Sequence, residues 1–245
     1  MILTPEDLPS KGLYSQAGPV YFRPLTFLEI LDYSNEVAGN SIKDCLKDMR
    51  WLMKLDPNIK NHSLYDLDYL IFMMKVHTIS DNKTFISDIQ CPKCSTRNRV
   101  EIELSDFKFI DAQPTDQLIR RVLLGGKKLQ VELPTIGDFA DILHTYSIYM
   151  KTDKVEIPKL VSLFPEFKTI PNVIENAVFQ ADREDISILY MLEMKYLSPT
   201  ESIKRTCSTC NEKGGMAIGI GSLIPSMFRD LLLNNAVDES QVQYE

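Results

Sequence analysis

Four of the five cysteines stand in two CxxC motifs, with Cys91 and Cys94 in CPKC and Cys207 and Cys210 in CSTC. Two thiolates at this spacing can reach one metal ion, because the turn between them points its backbone amides at the sulfurs. Four thiolates are a ligand set of tetrahedral structural zinc sites, and four protein ligands leave no open position for a substrate. The sequence therefore predicts that these four residues bind one structural Zn²⁺ ion.

The two motifs are far apart, since 112 residues separate Cys94 from Cys207, whereas paired CxxC zinc motifs are usually separated by roughly 15 to 20 residues. Each motif lies next to sequences typical of strands, which favours a zinc ribbon whose two halves are separated by an insertion. Two alternatives remain open. A redox dithiol normally opens a helix, whereas RNRVEIEL and GGMAIGI are strand sequences. An Fe–S cluster also uses four cysteines, but nothing else in the chain indicates electron transfer. No role is assigned to Cys45.

The overall charge argues against nucleic acid as the main partner. The 245-residue chain has a formal net charge of -7 and a pI near 5.1, whereas phosphate binding depends on clustered basic side chains. The largest basic cluster is small and is interpreted as a solvated turn: Arg120, Arg121, Lys127 and Lys128. There is no apolar stretch of about 20 residues and no signal-peptide pattern at the N-terminus, so no membrane segment is predicted and the protein is expected to be intracellular when made.

No catalytic motif accompanies the cysteines. The three histidines, His62, His77 and His144, stand in no metalloprotease or triad spacing. Asp66 and Asp68 point to different faces of a predicted helix, so they are interpreted as surface charge rather than as an acid–base pair. The sequence therefore predicts a protein that is not an enzyme.

Hydrophobic periodicity predicts an α+β fold with a mainly helical body and a split zinc-ribbon-like pair of β-hairpins. Helices are predicted from a capping box at Thr26 and Glu29, from Ser63 as N-cap, from Thr135 with Asp138, and over 41–55, 159–163, 172–180, 184–196 and 225–233. Strands are predicted at 20–22, 84–89, 99–104 and 128–133 and on both sides of CSTC. Five parts are expected: an N-terminal arm and helical region 1–80, a first knuckle hairpin 81–110, a mainly helical insertion with a short strand pair 111–200, a second knuckle hairpin 201–222, and a C-terminal helix and tail 223–245.

One run of sequence carries a family resemblance. In SLYDLDYLIFMMKVHTISDNKTFISDIQCPKC, residues 63–94, an apolar helix containing aspartates leads through a polar turn into a strand that ends at a CPxC knuckle, and a later CxxC completes the pair. With RPLTFLEIL near the N-terminus and LPTIGDFADIL after a hairpin, the chain resembles the T4-type bacteriophage baseplate hub proteins and the related hub-assembly proteins.

The resemblance implies a non-enzymatic structural or assembly component of the central baseplate hub of a contractile-tailed phage. The partners it implies are other baseplate hub and spike-complex proteins. The location it implies is the virion tail baseplate, with the host cytoplasm during assembly. It does not distinguish a virion subunit from an assembly chaperone. The alternative function is a zinc-ribbon adaptor that binds nucleic acid or transcription machinery through Arg97, Arg99, Arg120 and Arg121.

Overall fold

The computed structural model describes residues 1–15, 17–35, 42–78, 84–113, 119–124, 127–149, 156–165, 183–197, 200–201, 203–212 and 216–218. Within them the helices are α1 (Phe27–Asn35), α2 (Ile42–Leu55), α3 (Leu67–Thr78), α4 (Ile136–Tyr149), α5 (Glu156–Ser162) and α6 (Arg183–Tyr196). The strands are β1 (Ile2–Leu3), β2 (Val20–Tyr21), β3 (Thr84–Gln90), β4 (Arg97–Glu103), β5 (Lys108–Phe109), β6 (Arg121–Leu124), β7 (Lys127–Gln130), β8 (Thr200–Glu201), β9 (Ile203–Arg205) and β10 (Met216–Ile218). The predicted α+β class is confirmed.

Side-chain caps fix the starts of two helices where the sequence predicts them. At α1 the Thr26 amide donates to Glu29 Oε2 at 2.8 Å and the Glu29 amide donates to Thr26 Oγ1 at 3.4 Å. The same reciprocal pair opens α4, where the Thr135 amide donates to Asp138 Oδ2 and the Asp138 amide to Thr135 Oγ1. Each pair satisfies two amide groups that the first helical turn leaves without a backbone acceptor.

The contacts divide the chain into two compact units, the first of which comprises Met1–Arg23, Asn40–Ile71 and Phe109–Pro199. In it α2 and α5 both pack against α4. The apolar faces of these helices supply fully buried side chains to the core, namely Met49, Leu52, Phe139, Leu143 and Val161. The hairpin of β6 and β7 belongs to the same unit, in antiparallel register from Arg121↔Gln130 to Leu124↔Lys127.

The N-terminal arm is more ordered than its prolines predict. β1 pairs with β2, a 3-10 turn spans Pro5–Asp7, and Leu8 and Val20 are buried. The amide and hydroxyl of Ser10 donate to the two carboxylate oxygens of Asp66 at 2.8 and 2.7 Å. The interpretation of Asp66 as surface charge is therefore wrong, since the residue is fully buried and burial raises its pKa to about 6.

The second unit comprises Pro24–Gly39, Phe72–Lys108 and Thr200–Glu245. Two contacts tie the α1 region to the end of α3: the Leu25 amide donates to Thr78 Oγ1 at 3.2 Å, and the Lys75 ammonium lies 5.2 Å from the ring centroid of Tyr33. The unit also contains two antiparallel hairpins, β3 with β4 and β9 with β10. These hairpins carry the two CxxC motifs.

Some predicted strands differ from the observed ones by a few residues, and some predicted helices and turns lie outside the described residues. β4 begins two residues earlier than predicted. β7 ends at Gln130, although the Val131 amide still donates to Arg120 O in the register of the hairpin; the Glu132 amide leaves that register and donates to Leu163 O. The helices predicted at 172–180 and 225–233 and the glycine pairs 125–126 and 214–215 lie outside the described residues. Among the residues that are described, no helix has the length and apolarity needed to cross a membrane.

Candidate metal centre

The first knuckle is the loop of the β3–β4 hairpin. The strands pair over seven residues each, and the pair Gln90↔Arg97 closes the ladder around CPKCST. Inside the loop the Cys91 amide donates to Thr96 O at 2.9 Å and the Ser95 amide donates to Cys91 O at 2.8 Å. Ser95 has φ 58°, in the left-handed region.

The second knuckle repeats this backbone path on a shorter hairpin, in which β9 and β10 have three residues each. The Cys207 amide donates to Glu212 O at 3.2 Å and the Asn211 amide donates to Cys207 O at 3.0 Å. Asn211 has φ 54°, like its counterpart Ser95. In both knuckles the residue directly after the second cysteine therefore adopts the left-handed region.

The structure brings the four predicted cysteines together. Their Sγ atoms all lie within 4.8 Å of one another, with 3.7 Å between Cys91 and Cys210 and 3.6 Å between Cys94 and Cys207. Four thiolates placed tetrahedrally about 2.3 Å from a zinc ion are roughly 3.8 Å apart, whereas a disulfide requires about 2.05 Å. All four are free cysteines. The arrangement can therefore bind a metal ion, and its spacing suits zinc.

The surroundings favour the thiolate at Cys207 and Cys94. At Cys210, by contrast, the Glu212 amide lowers the pKa, but desolvation and the neighbouring sulfurs raise it to about 12. Cys91 and Cys207 are fully buried, while Cys94 and Cys210 are partly exposed and Val100 packs against the group. The backbone amides of Cys210 and Thr209 lower the pKa of Cys207 to about 6, because they donate hydrogen bonds to its sulfur. The hydroxyl and amide of Thr96 lower the pKa of Cys94 in the same way. Thiolates are the form in which cysteine binds a metal.

Comparison with known proteins identifies the family. A family model described as T4 bacteriophage base plate protein matches residues 22–218, which include both knuckles and most of the chain. The chain belongs to this family. Membership supports a structural role in the phage baseplate, which is part of the virion tail, and contacts with other baseplate proteins. The searches of curated proteins and of solved structures gave no match.

In this baseplate protein, polar side chains that the sequence analysis did not single out join the two knuckles. Asn98 Oδ1 accepts hydrogen bonds from the amide and the hydroxyl of Ser208 at 2.9 and 2.7 Å. The ammonium of Lys93 lies 2.6 Å from the carboxylate of Glu212. A signal for Asn98 was available, because it occupies an inward position of an alternating strand in which Val100 and Ile102 are the next two inward residues.

The remaining candidate residues of the baseplate protein are not members of the four-sulfur cluster. Cys45 is on α2, with its Sγ 3.9 Å from Met49 Sδ, and is not one of the four clustered cysteines. The arginines proposed for nucleic-acid binding include Arg97 and Arg99, which are exposed on β4. The next exposed residues of the same strand are acidic, so the face as a whole gains no net positive charge: Glu101 and Glu103.

Proposed function

We propose that the protein is a non-enzymatic structural or assembly component of the central baseplate hub, and that one structural zinc ion joins its two knuckles into a split zinc ribbon. The ligands are Cys91, Cys94, Cys207 and Cys210. The observation that carries the proposal is the cluster of four sulfurs within 4.8 Å, in a chain that belongs to a baseplate family. In this proposal residues 111–200 are an insertion between the halves of the ribbon.

The donor set supports zinc and a structural role. An all-thiolate tetrahedral set is typical of structural zinc, and nothing in it favours the harder cations, which prefer oxygen ligands. Four protein ligands fill a tetrahedral coordination sphere, so neither water nor substrate is activated there. The ion's contribution is then to fix two hairpins that are distant in sequence, because ligand binding and folding are coupled at such sites.

The zinc site is tested by elemental analysis of protein purified without added metal. We expect about one zinc per chain for the wild type, and loss of that zinc in Cys94→Ser and in Cys207→Ser, one variant from each knuckle. Cys45→Ser is the matched control, because it removes a cysteine from α2 outside the cluster and is expected to leave the zinc content unchanged.

Three outcomes would contradict the site. Full metal content in both knuckle variants would exclude a shared ion. Stoichiometric iron with visible absorption would favour the Fe–S alternative. Protein without metal whose knuckles interconvert reversibly between dithiol and disulfide would favour the redox alternative.

The position at the hub is tested in purified phage tails by cross-linking mass spectrometry and quantitative stoichiometry. We expect the chain at a fixed copy number per tail, cross-linked to other hub and spike-complex proteins. Its presence in assembly intermediates in the host cytoplasm, with none in mature tails, would favour the assembly-chaperone form of the proposal. Cross-links confined to the baseplate periphery would overturn the hub position.

A further inference from the structure

The two knuckles differ at the residue that follows the first cysteine. In CPKC this residue is Pro92, which has a fixed φ and no amide hydrogen. In CSTC it is Ser208, whose amide donates outside its own knuckle, to Asn98 Oδ1. The second knuckle thus has one more donor to satisfy than the first and one less constraint on its conformation.

Asn98 supplies what the second knuckle lacks, although it belongs to the first hairpin. Its side chain is buried, and both the oxygen and the nitrogen of the amide have partners. Oδ1 accepts hydrogen bonds from the Ser208 amide and hydroxyl. Nδ2 donates to Thr96 O at 3.0 Å and lies 3.6 Å from Cys207 Sγ. Two accepted and two donated hydrogen bonds are the full capacity of a side-chain amide. Asn98 therefore links the backbone of one knuckle to the turn and a sulfur of the other.

The sequence of the second motif has no amide side chain at the position equivalent to Asn98. Counted from the first cysteine of its motif, Asn98 is the eighth residue, and the eighth residue of the second motif is Gly214, which has no side chain. The contact is consequently one-directional, from the hairpin with seven-residue strands to the hairpin with three-residue strands.

We infer that Asn98 is a positioning residue for the four-sulfur site, one that holds the Ser208 turn and orients the Cys207 sulfur without itself binding the metal. This inference rests on the proposed metal site. Groups that hydrogen-bond to metal ligands typically change metal affinity by about 10- to 100-fold when they are mutated. The amide is specific, because Asp would lose both donors and place a negative charge beside the sulfurs, and Ala would remove the acceptor of the Ser208 amide.

The test compares Asn98→Ala and Asn98→Asp with Arg99→Ala, a control that alters the neighbouring exposed residue of the same strand. Zinc affinity is measured by competition with a chromophoric chelator, and Co²⁺ substitution reports the sulfur-to-metal charge-transfer band. We expect both Asn98 variants to bind zinc about 10- to 100-fold more weakly than wild type. We also expect the band to move to lower energy, because a sulfur with fewer hydrogen-bond donors holds its electrons less tightly. The control should match the wild type in both respects.

A second substitution separates positioning from general loss of packing. Ser208→Pro gives the second knuckle the proline of the first and removes the amide hydrogen that Asn98 accepts. Combined with Asn98→Ala it should restore part of the lost zinc affinity, whereas alone it should weaken binding, because the proline ring would meet the retained Asn98 oxygen. Absence of any rescue in the double variant would overturn the part of the inference in which Asn98 holds the Ser208 turn, because proline replaces that contact but not the one to Cys207 Sγ.

The failure of this inference can be told apart from failure of the metal site. Wild-type protein that binds zinc, with Asn98 variants that bind it equally well and show the same band, overturns the role of Asn98 alone. Wild-type protein that binds neither zinc nor Co²⁺ overturns the proposed site. In that case hydrogen exchange of the Ser208 amide, measured by NMR, still decides the positioning role. Faster exchange in Asn98→Ala than in Arg99→Ala supports it, and equal exchange overturns it.

Discussion

The two knuckles of this baseplate protein share a backbone path but differ in how much of their structure is local. The first closes two strands of seven residues, and Pro92 restricts its turn. The second closes two strands of three residues and takes contacts from the other hairpin through Asn98, Lys93 and the pairing of Arg205 with Asp106. An isolated two-stranded hairpin of either length is marginally stable at best in water. The two copies of the motif therefore differ in how far they depend on distant groups, and the second, with fewer strand pairs, depends on them more.

Metal removal is expected to have the largest effect, and the loss of hydrogen-exchange protection should differ between the two knuckles. After treatment with a strong zinc chelator, amides of 203–218 should lose protection from hydrogen exchange, while those of 84–103 should keep part of theirs, because seven strand pairs remain. Hydrogen-exchange mass spectrometry with and without chelator measures both segments in one sample. Equal loss in the two hairpins would contradict the asymmetry, and no loss in either would mean that no metal holds them.

Glycine substitutions at the two knuckle residues with positive φ, Ser95 and Asn211, are expected to have a smaller effect, on the free energy of unfolding. Ser95→Gly should raise the free energy of unfolding by about 0.5 to 1 kcal/mol, because glycine adopts the left-handed region without the steric cost that serine bears. Asn211→Gly should change it by less, since asparagine tolerates this region better than serine does. Urea titration of the two variants beside wild type measures the difference. A larger gain at Asn211 than at Ser95 would show that the second turn is the more strained one.

The smallest effect is expected for the ion pair that joins the knuckles across the surface. The side chains of Lys93 and Glu212 are 62% and 41% exposed, so water and salt screen their attraction, although the hydrogen bond to Glu212 raises the pKa of Lys93. Lys93→Met should leave the urea midpoint unchanged within error at physiological salt. A clear destabilisation that persists at high salt would show that this pair, rather than Asn98, connects the second knuckle to the first.

Signals confined to a few neighbouring residues made much of the fold and of the candidate site predictable. The capping boxes at Thr26 and Thr135 fix helix starts because donor and acceptor lie three residues apart. The four cysteines were identifiable because thiolate spacing within each turn is a local property. The zinc ion itself stays a prediction, as does the division of the chain into five parts.

What could not be predicted depends on contacts between distant residues. Asp66 looks like surface charge in a helical pattern, but Ser10 and the N-terminal arm cover it. Asn98 looks like any polar strand residue until the second knuckle lies beside it. Neither hydrophobic periodicity nor turn-forming residues predict which of these distant side chains pair, because tertiary packing alone decides which side chains meet.

Because the two CxxC motifs are far apart in sequence, they are also synthesised at different times. Once a ribosome has added Cys94, it must add 112 further residues before Cys207, which takes roughly 6 to 22 s at about 5 to 20 residues per second. During that interval the nascent chain carries two thiols of a four-thiol set. The knuckle that is synthesised first is also the one with the longer strands and the proline, so the order of synthesis follows the order of local backbone constraint.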